Sequence, residues 1–401
     1  MTSVHQALLQ LLSKALFGRP VEPVDIDWDQ VLDEAAYQAV VQVTFSAIDP
    51  HALPAKALDR WKAAAATTIA KNVRVINNHE LLHKWMSQAG IPYVILKGCA
   101  SAAYYPVPAY RSMGDVDFLV PREYVEKAGR VLEENGLKPW NEAHIAHIVY
   151  RKIQVLLEMH FDIAGMPHGE AGEKIKEYTK DIFEKATAQN VGMTQAVLPS
   201  PFHHGLILLL HTAHHMTGEG IGLRHLCDWA VFENRFSDAQ FCALFEKKLK
   251  QVGLWRFAQI LTALSIRYLG AEKREWADIS NEDDLLEKLM DDIFHGGDFG
   301  VKDSERSNQA YIISSRGKSG VGKRSLIGQF FVSLNEVVYT RWPFAKKWKI
   351  VLPAGWVLFS VKQLVKIIKG KRKKVHLVKM VEGAKQRKKI YSRLKLYEEG
   401  Y

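Results

Sequence analysis

Two aspartates spaced two apart, Asp115 and Asp117, open the apolar run Val116-Asp-Phe-Leu-Val120. Alternate side chains of an extended strand share a face, so both carboxylates project together. Adjacent like charges are costly unless a cation joins them. All-oxygen ligation suits Mg²⁺ or Mn²⁺. A third acid, Glu158, lies 41 residues after Asp117, within Val155-Leu-Leu-Glu-Met-His160. An acid inside an apolar strand must be paired, metal-bound or turned to solvent. Three carboxylates can hold two divalent ions, one orienting a triphosphate, the other lowering the pKa of an attacking hydroxyl. The competing readings are a strand cap for Asp115 and an ion pair from Glu158 to Arg151 or Lys152.

Further residues could serve a nucleotide. Gly98 follows the short apolar run Tyr93-Val-Ile-Leu96 and allows close backbone approach to phosphate. Lys97 and Arg111 could neutralise phosphate charge, or form structural ion pairs. Six histidines fall between His203 and His225. His211, His214 and His215 share a helix face, which could ligate zinc or iron. No H-E-x-x-H accompanies them, so a polar helix face lining the cleft is the preferred reading. Within it, His211, His215 and Arg224 are the candidates for substrate contact. Arg224 and Asp228, four apart, could pair with each other.

The order Leu96-Lys-Gly98, Arg111-Ser-Met-Gly-Asp-Val-Asp-Phe-Leu-Val120 and Leu157-Glu-Met-His160 resembles the nucleotidyltransferase superfamily typified by DNA polymerase β. More closely, it resembles a bacterial, largely uncharacterised nucleotidyltransferase family, over roughly residues 75–235. The resemblance implies an α+β fold: a small mixed sheet with flanking helices, then a helical region. It implies Asp115 and Asp117 as a metal-binding pair, Glu158 as the third carboxylate, and Gly98 in the turn that meets the nucleotide. The substrate would be an NTP, with ATP the expected one. The acceptor stays open among a protein side chain, an RNA end and a small metabolite. The chain departs from the superfamily at Cys99, where Gly or Ser is usual, which would place a thiol at the phosphates.

The elements that must position these residues follow from pattern. Residues 1–90 read as helical, with a long helix over Ala55–Gln88. Residues 91–195 read as the catalytic core, with strands at Tyr93–Leu96, Val116–Val120, Ile145–Val149 and Ile153–His160. A helix over Glu123–Asn135 ends at Gly136. Residues 196–295 read as a helical substrate-side domain, 296–340 as a linker, and 341–401 as a basic amphipathic tail.

With 401 residues, 47% of them hydrophobic, the chain can bury a sizeable core. Its net charge of +10 is concentrated: residues 341–401 hold 18 Lys/Arg and 3 Asp/Glu, which leaves the preceding 340 at −5. A generally basic, nucleic-acid-binding body is therefore excluded, while the tail could meet an anionic membrane, RNA or nothing. Three cysteines without a C-x-x-C pair, and no signal peptide, fit a reducing cytoplasm. The longest apolar run, Ile350–Val361, has 12 residues. A membrane-spanning helix needs about 20, so only peripheral contact at the inner membrane face remains open. Gly317–Ser325, GKSGVGKRS, nearly spells a phosphate loop, but Arg324 stands where Ser or Thr must hold Mg²⁺. The alternative to catalysis is a degenerate nucleotidyltransferase fold that binds membrane or polyanion through its tail.

Overall fold

Strand alternation and the need to cover an apolar face account for the central sheet. The computed structural model describes residues 1–22, 26–141, 147–279, 281–303, 305–313, 326–368 and 377–401. Seven strands are found among them: β1 (Val94–Ile95), β2 (Val116–Leu119), β3 (Lys138–Asn141), β4 (His147–Lys152), β5 (Val155–His160), β6 (Thr187–Val191) and β7 (Thr194–Leu198). The first five form one sheet in the order β1-β2-β5-β4-β3. Only the β2–β5 pair is parallel; the others are antiparallel. The sheet is thus mixed and the class α+β, as expected. The hairpin β6–β7, not foreseen from pattern, stands apart as a second sheet.

Val116, Phe118, Leu157, Met159 and Tyr150 occupy one face of the sheet. They pack with Leu82 and Met86 of the long helix Ala55–Gln88, and with Ala128 and Leu132 of the helix Val125–Glu134. That helix ends as its sequence demands, with Gly136 at φ +81°, a left-handed geometry that costs glycine little. Val94, Leu96 and Leu119 join a larger core built by the helices Ser3–Phe17, Pro201–Thr217, Leu223–Glu233, Trp255–Leu269 and Asp283–Gly296. The sheet therefore lies between two helical masses, and Asp117, Glu158 and His160 fall on the face opposite Phe118 and Met159.

The C-terminal third departs from expectation. The stretch read as linker contains the helices Arg306–Ile313 and Leu326–Arg341. Arg306 is buried, with its Nη2 2.6 Å from Asp292 Oδ1. The phosphate-loop-like Gly317–Ser325 and the run Lys369–Lys374 lie outside the described residues. Nor is 341–401 a single solvated tail. The helix Leu377–Tyr391 and the residues after it dock on the body, with Tyr391 and Leu394 in the core. Arg387 donates to the carbonyls of Met216 and Gly218, at 3.1 and 2.9 Å. Arg393 pairs with Asp284 at 2.7 Å. The mildly acidic body supplies carboxylates for Arg393, whereas Arg387 is met by backbone carbonyls.

Candidate functional site

β2 and β5 run parallel with Asp117 opposite Glu158. Side chains at paired positions point to the same face, so these two acids are neighbours, and Asp115, just ahead of β2, lies within electrostatic reach of both. β5 and β4 then add His160 and, directly across from it, His147. Two of the three expected acids, Asp117 and Glu158, thus share a face with two histidines. Sequence patterning had noted His160 only as part of the motif and had given His147 no role. The signal for both was strand alternation: His160 lies two after Glu158.

The contacts are ordered around Asp117. Its Oδ1 accepts from Lys97 Nζ at 2.9 Å and from His160 Nε2 at 2.9 Å. His160 Nε2 and His147 Nε2 lie 3.7 and 4.0 Å from Glu158 Oε2. Among the described residues, His147, Glu158 and His160 form the group whose metal-capable atoms all lie within 4.8 Å of one another.

Charge in this cluster is uneven. Burial works against the Asp117 carboxylate, but Lys97 and the His160 hydrogen bond outweigh it and hold the carboxyl well below its usual range. Burial also opposes a charged His160, yet its bonds to Asp117 and Glu158 raise it. Asp115 behaves oppositely: burial, then the nearby Asp117 and Glu158, push it up to about 6, against the opposing pull of Lys97 and Arg224. A group in that state gains from a divalent cation, which would relieve the repulsion. The oxygen donors of Asp115, Asp117 and Glu158 fit a hard divalent ion on this chemical ground.

The turn between β1 and β2 has its own constraint. Gly98 sits at φ +59°, ψ −112°, and a Cβ there would stand 2.9 Å from His79 Nε2. His79, on the long helix, was not marked by any sequence signal. Its Nδ1 bonds the Val75 carbonyl at 2.8 Å, and burial lowers its pKa to about 4. The Cys99 amide donates to His79 Nε2 at 3.5 Å. The Cys99 side chain is fully buried in the core beneath the sheet, and burial pushes its thiol up to about 12. The thiol expected at the phosphates therefore points into the apolar interior instead, because apolar packing is available on that side.

Arg111 does not reach toward the carboxylates. Its side chain is 4% exposed, and Nε and Nη2 both lie 2.7 Å from the two oxygens of Asp228, a bidentate fork. Tyr105 adds a bond to Asp228 Oδ1 at 2.8 Å. Of the two roles open to Arg111, the geometry is that of a structural ion pair. The pairing expected between Arg224 and Asp228 is exchanged: Arg224 Nη2 meets Asp298 Oδ2 at 3.1 Å. Asp298 comes from the segment read as linker.

His211, His215 and His225 are brought together. The ring centroids of His211 lie 4.4 Å from His215 and 5.4 Å from His225. Phe299 closes against His215 and His225, at 4.7 and 5.4 Å. Burial holds His211 well below its ordinary pKa, and Lys97, His215, His225 and Arg224 act in the same direction. The neutral imidazoles thus adjoin the carboxylate face at Lys97. His214 is turned outward.

Comparison with known proteins bears on this arrangement. A crystal structure of an antigenic nucleotidyltransferase-like protein from Paracoccidioides brasiliensis is similar over 50% of this chain and 94% of its own, with 15% identity and a TM-score of 0.33. No curated protein sequence matches the chain. The model of one family, described as uncharacterised nucleotidyltransferase, matches residues 24–270, which include the whole sheet and the histidine-bearing helices. That span is well over half of the chain, which belongs to this nucleotidyltransferase family.

Proposed function

We propose that the protein transfers a nucleoside monophosphate from an NTP to an acceptor hydroxyl and releases pyrophosphate. The observation that carries this reading is the register Asp117 opposite Glu158 on the parallel β2–β5 pair, with Asp115 just ahead of β2 and within electrostatic reach of both. Asp115, Asp117 and Glu158 would hold Mg²⁺ or Mn²⁺, which when bound supplies charge neutralisation at the phosphates. His160 orients Asp117 by bonding its Oδ1. Lys97 stands beside that carboxylate and can pass its charge to a phosphate oxygen. Gly98 lets the backbone approach closely. Glu158, on the acceptor side, takes the hydroxyl proton as the acceptor oxygen bonds the α-phosphorus and the bond to the β-phosphate oxygen breaks. His211, His215 and Arg224 would line the acceptor side. ATP is the expected nucleotide, and the acceptor is a protein, an RNA end or a small molecule.

One observation favours a second reading, a non-catalytic member of the fold. Lys97 and His160 both engage the same oxygen of Asp117, which neutralises it without a metal. The test is label transfer from each α-labelled NTP with Mg²⁺ or Mn²⁺, alone and with protein, RNA and metabolite fractions of a lysate. Transfer to one fraction that disappears in Asp117→Ala supports the enzyme and identifies the acceptor class. Equal absence of transfer in both proteins favours the binding role.

A further inference from the structure

Between Glu336 and Glu382 the sequence contains no Asp or Glu and twelve Lys or Arg. Within it, the end of the helix Leu326–Arg341 and the helix Leu352–Ile368 form a pair, joined through short 3-10 turns at Pro343–Lys346 and Lys349–Val351. Val338, Ala345 and Leu352 form a small core of their own between them. Gly355 is needed there, since a Cβ would stand 2.8 Å from Val338 Cγ1. Trp356 Nε1 donates to Asn335 Oδ1 at 2.9 Å. These contacts occupy one side of the helix Leu352–Ile368.

The other side is also apolar. Val357, Leu358 and Val361, spaced i, i+1 and i+4, share it, and the first two are 62% and 59% exposed. The preceding turns add Trp348 and Ile350, 60% and 86% exposed. A helix that is apolar on both sides belongs either in a core or against a lipid phase. Single exposed apolar residues need no explanation, but five exposed apolar residues within one short segment flanked by lysines and free of acids do. The rim is Lys346, Lys347, Lys349 and Lys362, all exposed. Among the described residues, no helix is long and apolar enough to cross a membrane. Seventeen helical residues reach about 25 Å, short of the roughly 30 Å hydrocarbon core. The fitting geometry is a helix lying in the membrane interface, with Trp348 at headgroup depth and the lysines on anionic lipid.

We propose that this helical pair docks the protein on an anionic lipid surface through Trp348, Ile350, Val357, Leu358 and the flanking lysines. The full chain would be sedimented with phosphatidylcholine vesicles, with and without about a quarter of phosphatidylglycerol. Binding is expected to be at least about tenfold tighter to the anionic vesicles, and to weaken as salt rises from about 0.05 M to about 0.5 M. Val357→Asp/Leu358→Asp should abolish binding without lowering the unfolding temperature, because neither side chain contributes to the inner contacts. Leu358→Ser is the milder second variant and should lose part of the affinity. Equal binding by wild type and both variants, or no binding to either vesicle, would overturn the proposal. So would a dimer in solution that the Asp pair dissociates, which would make a second copy the occupant. Retention of random RNA by wild type and variants alike, without vesicle binding, would assign the lysines to a polyanion instead.

Discussion

Two acid-bearing regions lie in adjoining layers and differ in charge balance. At the face of β2 and β5, Asp115 lies within electrostatic reach of Asp117 and Glu158, and the ammonium of Lys97 pairs with Asp117. At the helix Leu223–Glu233, Asp228 meets the Arg111 guanidinium in a two-pronged bond, with the Tyr105 hydroxyl as an additional donor. The second region is balanced: burial opposes the Asp228 charge, yet Arg111 holds its carboxyl below the usual range. The first is in deficit: burial, and then the neighbouring Asp117 and Glu158, hold Asp115 raised to about 6. A balanced buried pair serves the fold, whereas a crowded set of acids is stable only in company with something cationic. Both regions read alike in sequence, as charged residues among apolar ones.

The largest expected effect tests the balanced region. Arg111→Met leaves Asp228 buried without its partner and should cost about 3–5 kcal/mol in denaturant unfolding. A loss under about 1 kcal/mol would show that Asp228 relaxes toward water, and the contrast between regions would fail. Asp115→Asn should act in the opposite sense. Label transfer should fall on the order of 10²–10³-fold, as for removal of one preorganised electrostatic contact. Stability without divalent ions should hold or rise, because a repelling charge is gone. A destabilised Asp115→Asn protein would place that carboxylate in the structural class.

The pH profile sharpens the same point. Asp115 is raised in the folded state, so folding favours its protonated form. Its contribution to stability is full below its ordinary pKa of 3.8 and is lost as pH rises to about 6. In chelator, thermal unfolding of wild type should therefore show a stability loss between these values that Asp115→Asn lacks. Added Mg²⁺ should protect wild type more above pH 6 than below it, since cation and proton compete. The smallest effect is expected at Gly98→Ala, where a left-handed φ and the contact with His79 should cost about 1–3 kcal/mol. A larger fall in label transfer than in stability would show that the turn positions Lys97.

Much of the site was legible because strand alternation is a local rule. Asp115, Asp117 and Glu158 were marked by type and spacing, and the strands that hold them lie within two residues of expectation. The domain boundaries toward the C-terminus were less legible. Gly- and Ser-rich composition around residue 300 suggested a linker, but Arg306 ties a helix there to Asp292, and Arg387 ties the helix Leu377–Tyr391 to Met216 and Gly218, far away in sequence. No local pattern encodes such contacts.

By itself, the sequence determined the acid spacing, the strand that presents it, a glycine turn after β1 and the acid-free basic segment before Glu382. Each follows from backbone geometry or from charge counted along the chain. Only the tertiary structure decided that Arg111 turns away to Asp228, that Cys99 faces the core and that His79 backs the turn. It also decided that His147 joins His160, and that the last residues of a basic tail fold onto the body. These outcomes depend on which partner is nearest once the chain is packed. Buried polar groups must find such partners, and spacing along the chain does not name them.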